Sequence, residues 1–223
     1  MKFALAILLL LSPAVLGRRL LQDGCADLSA LDAVPEVSDV VTLLKGFNLL
    51  PNGIPEGVTV FLPSNTAVQA LISQVAPLVP GGVTVETLPE AIKSPLLASV
   101  NVEERLVSAL IYHIAPVGAA EPSELVAEGT IPTVLSEATP GFDLQFAAGP
   151  DGNYTVTYNN AKPTVANTSD PILACGSAVY VIDQVMIPTD LLNSDFPLTT
   201  VAEAQALLAG GGGASAPAPA PEA

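Results

Sequence analysis

Apolar positions recur on a helical period early in the chain and gather into strand-like runs later. Between residues 27 and 44, Leu28, Leu31 and Val34 precede Pro35, and Val37, Val40, Val41 and Leu44 follow it. Both stretches keep helical spacing, so the pattern predicts helical segments that the proline breaks and re-aims. Asn52-Gly53 and Glu56-Gly57 mark turns. Residues 59–62 are a short β-favouring run, closed by Pro63-Ser64-Asn65. Ser64 or Asn65 then caps a predicted helix through Ala67, Leu71 and Val75, its side-chain oxygen accepting from the helix's free N–H groups.

A further helix is predicted from Asn101, with Glu104 spaced to reach back as a capping box. Leu106, Ala109, Leu110 and His113 share its apolar face. Beyond Pro116 the predicted strands cover residues 131–135, 143–147, 154–158, 164–166, 178–183 and 185–187. Helices first and strands later predict an α+β domain. No internal repeat is visible, so one domain is expected.

The ends of the chain read differently. Lys2 and the apolar run 3–11, broken by Ser12-Pro13 and followed by Val15-Leu16-Gly17, have the form of a signal peptide over 1–17. That run is too short for a membrane span, which needs about 20 apolar residues. Arg18-Arg19 offers a dibasic processing site. The expected product is secreted and extracellular, with no membrane span. At the other end, residues 210–213 are all glycine and Ala-Pro repeats follow to residue 223. This composition predicts a flexible joint and an extended tail. The expected organisation is signal peptide 1–17, linker 18–24, domain 25–192, extension 193–209 with a short helix near 199–208, and tail 210–223.

Secretion changes how several residues are read. Cys25 and Cys175 are the only cysteines, and an even count in an oxidising compartment predicts one disulfide, against the alternative of two buried thiols. Asn153-Tyr154-Thr155 and Asn167-Thr168-Ser169 are sequons, predicting N-glycans at Asn153 and Asn167. Acidic residues number 22 against 7 basic, for a net charge of −15. Such a field repels nucleic acid and anionic membranes, so neither is an expected partner.

Reactive chemistry is sparse. His113 is the single histidine, and a catalytic dyad or triad would have to use it. Its place on an apolar helix face predicts a hydrogen-bonded structural histidine instead. The sequence has no GxSxG elbow, P-loop, dinucleotide fingerprint, HExxH, CxxC or EF-hand loop. No catalytic residue, cofactor or metal site is therefore expected.

Three segments carry a resemblance. TVFLPSNTAVQAL (59–71), LIYHIAPV (110–117) and ACGSAVYVIDQVMIP (174–188) resemble, in order, the first block, the Tyr-His block and the second block of the fasciclin (FAS1) domain. The resemblance implies an α+β FAS1-like fold, a wedge of twisted antiparallel sheet packed with several helices. It also implies an extracellular adhesion module rather than an enzyme. Tyr112 and His113 match the Tyr-His pair, Asn65 matches the Asn or Asp of the first block, and Asp183 lies in the second. Ser64 stands where the family often has Thr and keeps the hydroxyl. Pro188-Thr189-Asp190-Leu191 departs from the integrin-type motifs of animal members. The Ala-Pro tail is similar to the arabinogalactan modules of fasciclin-like arabinogalactan proteins, where prolines are hydroxylated and O-glycosylated; an unmodified spacer is the alternative. The expected function is adhesion in extracellular matrix or cell wall, through contacts with proteins, glycans or further copies of the chain. The alternative is a secreted carrier holding a small apolar ligand between helices and sheet, and a secreted enzyme centred on His113 is a third reading.

Overall fold

A computed structural model describes residues 20–21, 28–79, 81–98, 100–149, 152–158, 164–168, 170–189 and 196–210. Two 3₁₀ segments, Leu28–Ala33 and Pro35–Val37, lead into helix α1 (Ser38–Gly46). Pro35 opens the second segment, where its missing N–H leaves no bond unmade. The helical pattern of the sequence is thus realised as 3₁₀ turns before the break and through Val37, and as α-helix from Ser38 on.

Strand β2 (Thr59–Pro63) is buried along its whole length and runs into helix α2 (Asn65–Val75). Two one-turn helices, α3 (Leu88–Ala91) and α4 (Pro95–Ala98), precede the central helix α5 (Val102–Tyr112). Strand β3 (Ile114–Ala115), helix α6 (Pro122–Glu128), strand β4 (Thr130–Ile131) and helix α7 (Val134–Ala138) follow. The later strands are β5 (Leu144–Ala148), β6 (Tyr154–Tyr158), β7 (Thr164–Thr168), β8 (Ile172–Ala174) and β9 (Ser177–Ile182). Helix α8 (Val201–Gly210) packs against α5 and α7. It lies in the segment expected as an extension, and its Ala204 and Leu208 are buried.

The strands form one sheet. With β1 (Leu20–Leu21) at one end, its order is β1-β8-β9-β7-β6-β5-β4, while β2 pairs with both β3 and β9. The β5–β6–β7 meander is antiparallel, as expected. However, β2 pairs with β9 in parallel over five residues, from Thr59 on Ala178 to Pro63 on Ile182, and β1 pairs with β8 in parallel. The sheet is therefore mixed. A strand covered on both faces reads as an unbroken apolar run, which is what a parallel partner in a sheet interior requires.

Other local expectations also change. Residues 131–135 do not continue as a strand. Thr133 accepts from the Ser136 N–H at 3.0 Å while Ser136 Oγ accepts from the Thr133 N–H at 2.8 Å, and this reciprocal cap starts α7. Asn101 precedes α5 in a left-handed conformation, with φ 53°, and makes no side-chain cap, so the expected box with Glu104 does not form. Residues 185–187 form no strand, because Met186 is engaged elsewhere.

The core is aliphatic around a small aromatic cluster. Phe61 stacks on Tyr180 at 5.4 Å between ring centroids, and Phe146 meets both, at 6.1 Å and 5.7 Å. Helix α5 is buried nearly all round, and even Arg105 is drawn in. Its Nε donates to the Val100 carbonyl at 3.1 Å, and its guanidinium lies 5.4 Å from the ring centre of buried Phe196. This cation–π contact fastens the segment leading to α8 onto α5.

Candidate functional site

The polar residues of the sequence motifs gather where α1, β2, α2 and the end of α5 meet. Ser64 has an extended backbone, and its Oγ accepts from the Ala67 N–H at 3.3 Å, making it the N-cap of α2. Its own N–H donates to the Ile182 carbonyl at 2.8 Å, tying the end of β2 to β9. One residue on, Asn65 turns the other way. Its Oδ1 accepts from the Asp39 N–H at 3.0 Å, and its Nδ2 donates to the Pro35 carbonyl at 2.9 Å and to Ser38 Oγ at 3.1 Å. The residue before α1 is Val37, which has no side-chain oxygen to offer. Asn65 therefore caps α1 from a distance, while Ser64 caps α2 locally.

His113 ends α5 and is buried with Tyr112 beside it. The Met186 N–H can only donate, and it reaches His113 Nε2 at 2.9 Å. The ring proton therefore sits on Nδ1, which donates to the Ala109 carbonyl at 2.6 Å. The His113 carbonyl in turn accepts from the Phe61 N–H at 2.8 Å. One residue joins α5, β2 and the chain leaving β9. Its pKa is pushed down to about 4, because burial penalises the charged ring more than the Ala109 carbonyl favours it. Around it, Val40, Leu44, Leu62 and Leu110 leave a cavity of about 10 Å³, room for one water at most.

Asp183 lies just past β9 and grips Asn167 on β7. Its two carboxylate oxygens accept from the Asn167 backbone N–H and from Nδ2, both at 2.8 Å, and its own N–H donates to the Asn167 carbonyl at 3.1 Å. This pair lies with Ser64 and Asn153 on a groove of about 220 Å³. Both sequon asparagines are exposed. Cys175 turns β8 into β9 with φ 56°; Cys25 lies outside the described residues.

Residues 35–188, more than half of the chain, match the family model of the fasciclin domain. The chain belongs to the fasciclin domain family. Among solved structures, a FAS1 domain pair from the insect cell adhesion molecule fasciclin I is similar, with a TM-score of 0.46 and 16% identity over 70% of this chain and 48% of that one. This chain thus covers about half of that solved pair. Among curated proteins, none matches.

In this fasciclin domain the motif residues are spent on holding elements together. Ser64, Asn65, Tyr112 and His113 sit at the junction of helices and sheet, and Asp183 clasps β7 to β9. His113 has both ring nitrogens engaged internally, which leaves no lone pair facing a substrate. Among the described residues, no group of three or more potential metal ligands comes together.

Sequence reasoning passed over two buried hydroxyls that do similar work. Ser177 Oγ donates to the Pro55 carbonyl at 2.7 Å and accepts from the Val58 N–H at 3.2 Å. Thr59 Oγ1 donates to the Gly118 carbonyl at 2.7 Å and accepts from the Ala120 N–H at 3.2 Å. Each satisfies loop backbone at the start of a strand of the parallel pair. A Ser or Thr opening an apolar run was the only local signal.

Two predictions test this reading. Asn65→Ala should lower stability by about 1–2 kcal/mol, since it orphans the Asp39 N–H and removes one of the two donors to the Pro35 carbonyl, which keeps the Ser38 N–H. Urea unfolding measures it, and a midpoint equal to wild type would show that the remote cap contributes nothing. The second concerns pH. His113 is neutral when folded and binds a proton below pH 6.5 when unfolded, so the unfolded state carries more protons between pH 6.5 and about 4. Stability should therefore fall as pH drops through that window, by about 1.4 kcal/mol per unit from this group. Carboxylates contribute equally in a His113→Gln variant, so the difference between the two urea-midpoint profiles isolates the histidine. Parallel profiles would refute the assignment.

Proposed function

We propose that the chain is a secreted, glycosylated fasciclin-domain protein that acts in adhesion within an extracellular matrix or cell wall. The observation that carries this reading is the use of the motif chemistry: the polar side chains of the blocks are hydrogen-bonded into the scaffold, and the single histidine is enclosed. What the domain offers to other molecules is its surface. Contacts with matrix or wall proteins and glycans fit that reading, as does pairing between copies. The carrier alternative gains no support from the space beside His113, which is too small for an organic ligand. The Gly-rich joint and Ala-Pro repeats act as a tether, adding reach and effective concentration.

A disulfide between Cys25 and Cys175 belongs to the same reading. Strand β1 sets Leu21 beside Ala174 in a parallel register. That register brings the chain a few residues before Cys25 alongside the residue that precedes Cys175. Closing so long a loop is worth about 5 kcal/mol on the chain-entropy account.

Two measurements follow. Beads carrying the secreted protein should be held on matrix or wall extracts, and truncation after Gly210 should weaken retention while leaving partner choice unchanged. Retention no greater than that of the heat-unfolded protein would sink the adhesion reading. Peptide mapping without reduction should recover Cys25 and Cys175 in one linked pair; alkylation of both without prior reduction would reject the bridge.

A further inference from the structure

The two sequons are separate in sequence and adjacent in space. Strands β6 and β7 pair so that Thr155 faces Asn167. Asn153 lies two residues before Thr155 on the same side of the strand, which makes it the diagonal neighbour of Asn167, about 7–8 Å away. Both asparagines line the groove of about 220 Å³ that also holds Ser64, Thr168 and Asp183. This volume is below that of a drug-sized pocket, roughly 300–1,000 Å³, and is on the scale of one sugar ring. An N-glycan is bulky from its first residue, and two stems rooted here would contest the same space.

The two amides differ in what the fold asks of them. Asn167 is held by Asp183 through its backbone N–H, its Nδ2 and its carbonyl. Asn153, at the end of the β5–β6 hairpin, is exposed, and its side chain makes no hydrogen bond among the described residues. Only its carbonyl is used, accepting from the Gly149 N–H at 2.8 Å.

We infer that the two sequons constitute one glycosylation site, occupied at Asn153, with Asn167 retained as the hydrogen-bond partner of Asp183. The inference rests on the glycoprotein reading above and narrows it from two glycans to one. In the transfer step, Asn153 Nδ2 forms a bond to the anomeric carbon of an oligosaccharide carried on a lipid diphosphate. The amide nitrogen loses a proton, and the lipid diphosphate leaves with the bonding pair. Transfer takes place on the unfolded chain, so the choice is exercised through folding. A chain modified at Asn153 keeps the Asp183 clasp intact. A chain modified at Asn167 hangs its glycan on the Nδ2 that Asp183 holds and so crowds the clasp between β7 and β9, and one modified at both must also fit two stems into one groove.

The test is site-by-site glycopeptide mapping of the full chain secreted from a eukaryotic host, together with the mass of the intact product. The expected result is one N-glycan per molecule, on Asn153. Folded, secreted molecules carrying both glycans, or a glycan on Asn167 alone, would overturn the inference and leave the glycoprotein reading standing. An absence of glycan at both sequons would overturn the two together. Asn153→Gln should yield secreted protein with no N-glycan, and efficient transfer to Asn167 would count against the inference. Asn167→Gln should keep the Asn153 glycan and melt a few degrees lower, since the longer side chain displaces the Nδ2 donor from Asp183 and leaves only the backbone contacts. An unchanged melting temperature would remove the structural role assigned to Asn167.

Discussion

Parallel pairing of β2 with β9 is the constraint around which the molecule closes. Each strand is short, yet the paired residues lie more than a hundred positions apart, so the ladder closes a loop that holds most of the domain. Antiparallel neighbours can be joined by a tight turn; parallel ones need a crossover, and here the crossover is most of the domain. The ladder is secured at one end by a side chain that satisfies loop backbone and at the other by a main-chain bond. Ser177 serves the chain entering β2, and the Ser64 N–H holds the far end to Ile182. A loop of this length carries a large closure entropy, though one that grows only slowly with length. The interior aromatic contacts between Phe61 and Tyr180 sit on this same ladder and help offset that cost.

His113 extends the same logic to the helices. A main-chain N–H at Met186 and a carbonyl at Ala109 both need partners away from water, and one neutral imidazole satisfies both. Lysine, which can only donate, could not supply that pair of contacts. Burial explains the low pKa, and the low pKa keeps the ring neutral, while the two contacts select its tautomer. Chemistry that would make a histidine useful in catalysis, a free lone pair near neutral pH, is given up for architecture.

Local signals were readable in the sequence wherever local physics decided the outcome. The strand at Tyr154–Tyr158, the cap at Ser64 and the burial of His113 follow from alternation, hydroxyl placement and face periodicity. What stayed hidden depends on distant partners. Nothing within a few residues of Asn65 says that its amide will cap a helix that begins 27 residues earlier, at Ser38. Nor does an apolar run reveal whether its neighbour will be parallel. Around Thr133, β-favouring residues outweighed a Thr-x-x-Ser cap that was present in the sequence and prevailed in the structure. At Asn101 the reverse held: cap-like spacing was present, but the backbone is left-handed and the side chain makes no cap bond.

This division bears on recognition. The motif by which the chain is placed in its family is largely buried or committed to hydrogen bonds within the domain, so it specifies a scaffold. Within the adhesion reading, partner choice falls to positions outside the motif, in a chain whose charge is strongly one-sided. Two copies of a chain with net charge −15 approach at a Coulombic disadvantage, screened only beyond about 8–10 Å at physiological salt. Contact between like copies has to overcome that repulsion at short range, where screening helps least. A basic protein face or an uncharged glycan meets no such barrier, and the basic face is drawn in by the same field. Within the adhesion reading, attachment to a different molecule is therefore physically favoured over pairing with itself.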